Sequence, residues 1–409
     1  MFGLWRWRAV PENQPGCIVG LELNASMMRA VSLENNQIYP LRLTNDPAHT
    51  GTGAADDDLP LMIALHQKRP VVGWSALAVA YSKSYAMCEG FLPYLLTPHR
   101  WQHGHHSLSA DEALTLVLEH VGRVLKKEAK VLAVAYPPYL QPDQRRYLTG
   151  LIRQVGLPLR GTVLAPLGVA HAVFSSPFPA TPAPTGPDGH NGGLVPGRVQ
   201  ATPRTALVID GDSYALWASV VTHEGPHVRH VDEAYAYWHQ LGLRQWYEFL
   251  LNELADRFIN QCRRDIRHFP TIQQSIFQQL LAQWDNLHNS AVRLVARAED
   301  WHGEIELTPK EWDRFCRQLA RAAAQAVAQV IQKMESSTPV RTVWLTTQIA
   351  RLPGFHRYLQ REIPPETSVQ TLKQRAFAYA AAQLASYWSD STKPFCWEKD
   401  IPLLPAPSH

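Results

Sequence analysis

The chain has 409 residues, of which 45% are hydrophobic and 18% charged, with a formal net charge of +3 at pH 7. That length accommodates two or three domains or one large two-lobed unit, and the near-balanced charge, with no basic cluster interleaved with aromatics, argues against a nucleic-acid partner. Five scattered cysteines (Cys17, Cys88, Cys262, Cys316, Cys396) without CxxC spacing fit reduced thiols in a cytoplasm, and no apolar run reaches bilayer-spanning length.

Residues 1–16 read as an N-terminal tail in which Trp5 and Trp7 alternate with Arg6 and Arg8. Residues 17–23 and 28–33 read as two strands joined by a tight Asn24-Ala25-Ser26 turn. Residues 45–59 form a polar loop, and residues 71–80 an edge segment running into a short helix. Ser109 and Glu112 make a capping box ahead of a helix over residues 113–127. His103, His105 and His106 are candidate metal ligands, but no acidic or Cys partner is adjacent and a solvated loop is the simpler reading. From Lys130 the order is an apolar strand, a Pro-Pro turn, a helix opening, a second strand and a small-residue segment ending at Phe174. Residues 175–204 are a Pro/Gly-rich linker that buries too little apolar surface to offset its ordering entropy.

Residues 205–210 then read as a buried strand. Residues 245–264 and 271–297 are helical by period. A strand at residues 305–308 leads into a long helix with Thr308 as cap and Pro309 at its first position, ending near Met334. A strand (340–346), a helix (352–361) and an Ala-rich helix (374–387) follow. Trp238, Trp246, Trp284, Trp301 and Trp312 read as packing residues.

The run AVAYPPYLQPDQRR at residues 133–146 resembles the first-lobe segment of the DnaK-type (seventy-kilodalton heat-shock) chaperones that reads like AVITVPAYF-DAQR. Three further anchors keep the family's order and spacing: LTPKEWDRF, VWLTTQIARLPGF and RAFAYAAAQLA. The resemblance implies an α/β chain in the two-lobed actin-like ATPase (ribonuclease H-like) fold, with mixed sheets flanked by helices. It implies a first lobe over residues 17–174, a second over 205–389 and a C-terminal tail over 390–409, with no peptide-binding domain. The Ala-rich helix, through Ala376, Ala378, Ala380 and Ala381, is expected to pack against the second-lobe sheet.

The same resemblance locates the nucleotide-handling positions, which depart from the family's pattern. The first phosphate hairpin, like GIDLGTT in the family, corresponds to residues 20–26, so that Glu22 replaces an Asp, Asn24 a Gly, and Ser26 a Thr. The second, like DLGGGTFD, corresponds to residues 209–215. Asp210 and Gly211 are kept, but Asp212 and Ser213 stand where glycines would, and Asp212 puts negative charge where phosphate would lie. The Gly-Gly that packs on the base becomes Thr346-Thr347. The catalytic Lys has no counterpart in residues 87–92, and the E-x-x-K pair none near residues 285–289. Losing three charge-assisted hydrogen bonds at about 1.5–3 kcal/mol each removes about 4.5–9 kcal/mol of affinity. The expectation is a degenerate, non-catalytic binding or scaffold protein of the cytoplasm with no cofactor and an unidentified protein partner. The alternatives are an ATP- and Mg-binding module held by Glu22, Asp210 and Ser213, and an actin-like assembly protein of a membrane-associated machine.

Overall fold

The computed structural model describes residues 16–35, 37–44, 57–175, 204–287, 289–334, 339–388 and 394–403. Trp5 and Trp7, the polar loop up to residue 56, the interior of the linker and the last six residues lie outside them.

The first sheet grows from the hairpin β1 (Cys17–Leu23) and β2 (Met27–Glu34), continued by β3 (Gln37–Leu41). Asn24 closes the turn, because its Oδ1 accepts the backbone N–H groups of Ser26 and Met27, both at 2.9 Å. The short β4 (Leu59–Pro60) adds to β2. A small sheet of β5 (Met62–Ala64), β6 (Val71–Val72) and β7 (Met87–Glu89) carries the one-turn α1 (Trp74–Leu77). A hairpin, β8 (Arg100–His103) and β9 (His106–Ser109), follows. His103 and His106 pair across it, and the His106 ring bonds the Gln67 carbonyl at 2.8 Å. The expected capping box opens α2 (Ala110–Glu128) with both Ser109 and Glu112 bonds made. Then come β10 (Ala129–Tyr136), α3 (Pro142–Gln154), β11 (Leu159–Leu164) and α4 (Ala165–Phe174).

The second sheet uses β12 (Arg204–Gly211), β13 (Leu216–Glu224) and β14 (His227–Trp238), followed by α5 (Leu243–Cys262) and α6 (Pro270–Ala282). Here the helical reading of residues 271–297 needs correction. The helix stops at Ala282, and β15 (Val292–Arg297) pairs with β16 (His302–Leu307). Val292, Leu294 and Ala296 alternate with Arg293, Val295 and Arg297, a strand period that the longer helical window concealed. Thr308 caps α7 (Pro309–Met334) in a reciprocal exchange with Glu311. The chain closes with β17 (Thr342–Leu345), α8 (Thr347–Ala350), α9 (Phe355–Glu362), β18 (Ser368–Thr371), α10 (Ala376–Tyr387), β19 (Phe395–Trp397) and β20 (Asp400–Pro402).

The described elements are thus mixed α/β, and five strands of each of the two large sheets share one order, β11-β10-β1-β2-β3 in the first and β18-β17-β12-β13-β14 in the second. The first runs β19-β11-β10-β1-β2-β3 and the second β18-β17-β12-β13-β14-β20. In each, an antiparallel meander is extended on its first strand by parallel strands. The segment read as a C-terminal tail supplies an edge strand to each sheet, β19 on β11 and β20 on β14.

The Ala-rich α10 packs on β1, β10 and β2 of the first sheet, which corrects its expected place on the second. Gly20 explains the choice. A Cβ there would stand 1.9 Å from the Ala378 carbonyl oxygen and 2.5 Å from the Ala382 nitrogen, so a bare backbone lets the helix lie directly on β1. Trp246 and Trp312, read as packing residues, are fully enclosed in the core of the second half.

Candidate functional site at the junction of the two sheets

The β1–β2 turn and the β12–β13 turn face each other, which brings Glu22, Asn24, Ser26, Asp210, Gly211, Asp212 and Ser213 together. The two turns bond directly. The Asp212 carboxylate accepts Ala25 N–H at 2.8 Å through Oδ2, and Tyr214 and Ala215 N–H at 3.0 and 3.1 Å through Oδ1. The Tyr139 hydroxyl also donates to Oδ2. Ser213 N–H donates to the Ser26 hydroxyl, and the Ser213 hydroxyl donates to the Ala25 carbonyl at 2.9 Å. Asp212 is wholly enclosed. Burial raises its pKa while these donors oppose the rise, and the Tyr139 hydroxyl is pushed well above its usual value by burial and by the adjacent carboxylate. Gly242, between β14 and α5, sits against this turn. A Cβ there would come within 2.9 Å of Ala215 N, and Leu243 N–H donates to the Asp212 carbonyl at 2.8 Å.

Beside this anion nest lies a buried charge cluster. Glu22 and Arg29 are register partners across the hairpin, bonded at 2.6 Å. Arg29 also donates to Asp58 at 2.9 Å and, across the junction, to the Gln348 side-chain oxygen at 2.9 Å. Asp58 is clasped from the other side by Arg375 at 2.8 Å, with Asp57 at 3.6 Å from the same guanidinium. Arg375 takes a left-handed backbone conformation (φ 61) at the cap of α10, a strain that aims its side chain at this pair. Asp210 completes the cluster. Its pKa is pushed up to about 7, first by burial and then by the charge of Glu22, against the Thr346 hydroxyl and Arg29. The Glu22 pKa is likewise raised by burial, with Arg29 opposing. The four carboxylates of Glu22, Asp57, Asp58 and Asp210 therefore face two guanidinium groups.

Thr346 donates its hydroxyl to Asp210 Oδ1 at 2.5 Å, and Thr347 donates to the Leu372 carbonyl at 2.9 Å. Both hydroxyls are thus consumed inside the protein. The outer rim is also pinned. Gln274 on α6 accepts Tyr81 N–H at 2.7 Å and donates to the Leu77 carbonyl at 3.0 Å, while Arg244 pairs with Glu89 at 2.9 Å. Among the described residues, no cluster of three or more His, Cys, Asp or Glu side chains has the geometry to hold a metal ion.

Sequence reading missed Arg29, Asp58, Gln348 and Arg375. Arg29 carried a usable signal, since a turn at Asn24 places residue 29 opposite residue 22, and opposite charges on facing strand positions pair. The others come from distant segments. A Ser219–His230–Asp232 relay was missed too, with Ser219 Oγ 2.6 Å from His230 Nε2 and His230 Nδ1 2.8 Å from Asp232. Ser219 is wholly enclosed in the middle of β13, so no substrate carbonyl reaches it, and the relay satisfies buried polar atoms. No protein-family model matches this sequence, and no curated protein matches it.

Proposed function

We propose that this chain is a degenerate relative of the DnaK-type ATPase domain, in the two-lobed actin-like arrangement, acting in the cytoplasm as a non-catalytic binding or scaffold protein. The observation that carries this reading is the Asp212 carboxylate. It accepts Ala25, Tyr214 and Ala215 N–H groups, the backbone donors that a phosphate loop would turn toward a nucleotide. An internal anion occupies the role of the phosphate, and Arg29 places an internal cation beside Glu22 and Asp58. The repeated strand order supports the fold part of the reading, since each half carries the same meander-plus-parallel sheet. A nucleotide would have to strand these buried groups, at about 1.5–3 kcal/mol for each charged hydrogen bond lost.

The test is a thermal-shift titration with Mg-ATP. Binding weaker than about 10 mM adds under about 0.1 kcal/mol at ~1 mM ligand, so the expected shift is well under a degree, with no hydrolysis. A clear stabilisation that Asp210→Ala abolishes overturns the reading and favours an ATP-binding module. The double variant Asn24→Gly, Asp212→Gly frees the donors and is expected to gain nucleotide affinity over the parent if the internal carboxylate is what excludes phosphate.

A further inference from the structure

Away from the junction, α3 rises between two surface grooves, and three of its arginines line one of them. We infer that the groove between α3 and the C-terminal strand β19, a site distinct from the junction, binds a compact polyanion of the pyrophosphate class. Its volume is about 320 Å³, at the lower end for small-ligand sites. Arg145, Arg146, Thr149 and Arg153 form one wall, while Thr162 and Cys396 face them. Glu398 is the single carboxylate among the lining residues, and it is already engaged by Arg145 at 3.3 Å and by the Tyr136 hydroxyl at 3.2 Å. Arg145 is spent as well, donating to the Leu140 and Pro138 carbonyls at 2.6 and 3.2 Å.

Two arginines remain for a ligand. Arg146 pairs with Asp143, and that pair is about three-quarters exposed on both sides (75% and 74%), so little holds it. Arg153 has no ion-pair partner among the described residues. Arg146, Thr149 and Arg153 share one helix face. The seven-residue separation of the arginines is about 10.5 Å along the axis, which suits two linked anionic centres better than one. Planar guanidinium forks match phosphoryl oxygens in geometry and charge.

Cys396 is exposed and lines the same groove, so its alkylation reports occupancy. The experiment follows the rate of iodoacetamide labelling at Cys396 by peptide mass spectrometry, with pyrophosphate titrated at constant ionic strength. The expected result is saturable protection, weakened about tenfold by Arg153→Gln and by Arg146→Gln, each costing a charged hydrogen bond. Both side chains are exposed and helix-compatible, so the fold tolerates the changes. Protection that sodium chloride reproduces, or that both variants retain, overturns the proposal. ATP separates this site from the junction. Stabilisation by ATP that comes with Cys396 protection and is lost in Arg153→Gln belongs to the groove and leaves the function proposed above standing. ATP that stabilises the protein without protecting Cys396 overturns the function proposed above and leaves the groove standing.

Discussion

Asp212 is the residue on which the two sheets close, and its substitution has a defined cost. Asp212→Ala strands the N–H groups of Ala25, Tyr214 and Ala215 and the Tyr139 hydroxyl in a site without solvent. At about 1–3 kcal/mol for each buried donor left unmade, with losses that do not add fully, the variant should lose about 3–5 kcal/mol. Urea midpoints measure this, and a change below 1 kcal/mol would mean that the carboxylate does not hold the turns together. Asp210 behaves oppositely. Its pKa is raised from 3.8 to about 7, so between those values the folded state keeps a proton that the unfolded state has released. Stability therefore falls as pH rises through that window and is level above it. Glu22, also raised, adds in the same direction, and the two titrate as a coupled pair. The displacement corresponds to up to about 4 kcal/mol at about 1.4 kcal/mol per tenfold change in proton concentration. Asp210→Asn keeps an acceptor for Thr346 and removes the buried charge. It should be more stable than the parent at pH 8 and indistinguishable near pH 4. Equal pH profiles for the two proteins would refute the buried-charge account.

At the scale of elements, the contact of α10 with β1 depends on Gly20 having no side chain. Gly20→Ala forces a methyl group into the Ala378 carbonyl, and backbone cannot yield as a side-chain tip would. The cost should be about 1–3 kcal/mol or more, read as a lower melting temperature, whereas Gly150→Ala, where a Cβ meets nothing within 4 Å, should raise it. The same pair of glycines marks how far sequence reasoning reaches. The β1–β2 hairpin, the Ser109 and Thr308 caps and the strand at residues 205–210 were legible because local turn chemistry and short-range periodicity decide them. The destination of α10 was not, since small residues on a helix indicate a close neighbour without naming it. The strand β15 was lost inside a helical window. The resemblance singled out Asn24, Ser26, Asp212 and Ser213, but not the bonds from Ala25 to Asp212 and from Ser213 to Ser26, because residues 25 and 212 meet only through tertiary structure. The Asp58–Arg375 clasp spans an even longer chain separation.

For the whole molecule, the C-terminal segment acts as a strap. β19 extends the first sheet through Gly161, Thr162 and Val163, and β20 extends the second through His227, Val228 and Arg229. Between them, Glu398 bonds Tyr136 and Arg145 of the first half, while the Lys399 carbonyl accepts His230 N–H of the second at 2.8 Å. Two sheets that could otherwise rock about their junction are joined by three strand residues on each side, alongside the bonds of Gln274 to Leu77 and Tyr81 and of Arg244 to Glu89. A protein that turns over nucleotide needs its halves to open and close, whereas a scaffold needs them fixed. Ending the chain before Pro394 should therefore raise amide hydrogen exchange at β11 and β14 together, with faster exchange at Ala25 and Ser213 as the junction loosens. Glu398→Ala removes only the first-half anchor and should loosen β11 more than β14. Faster exchange confined to one sheet edge in the truncated chain, with the junction unchanged, would reduce the strap to an edge decoration. The stiffness of the closed junction would then rest on the bonds of Asp212, Ser213 and Arg29 across it and on the Gln274 and Arg244 pins.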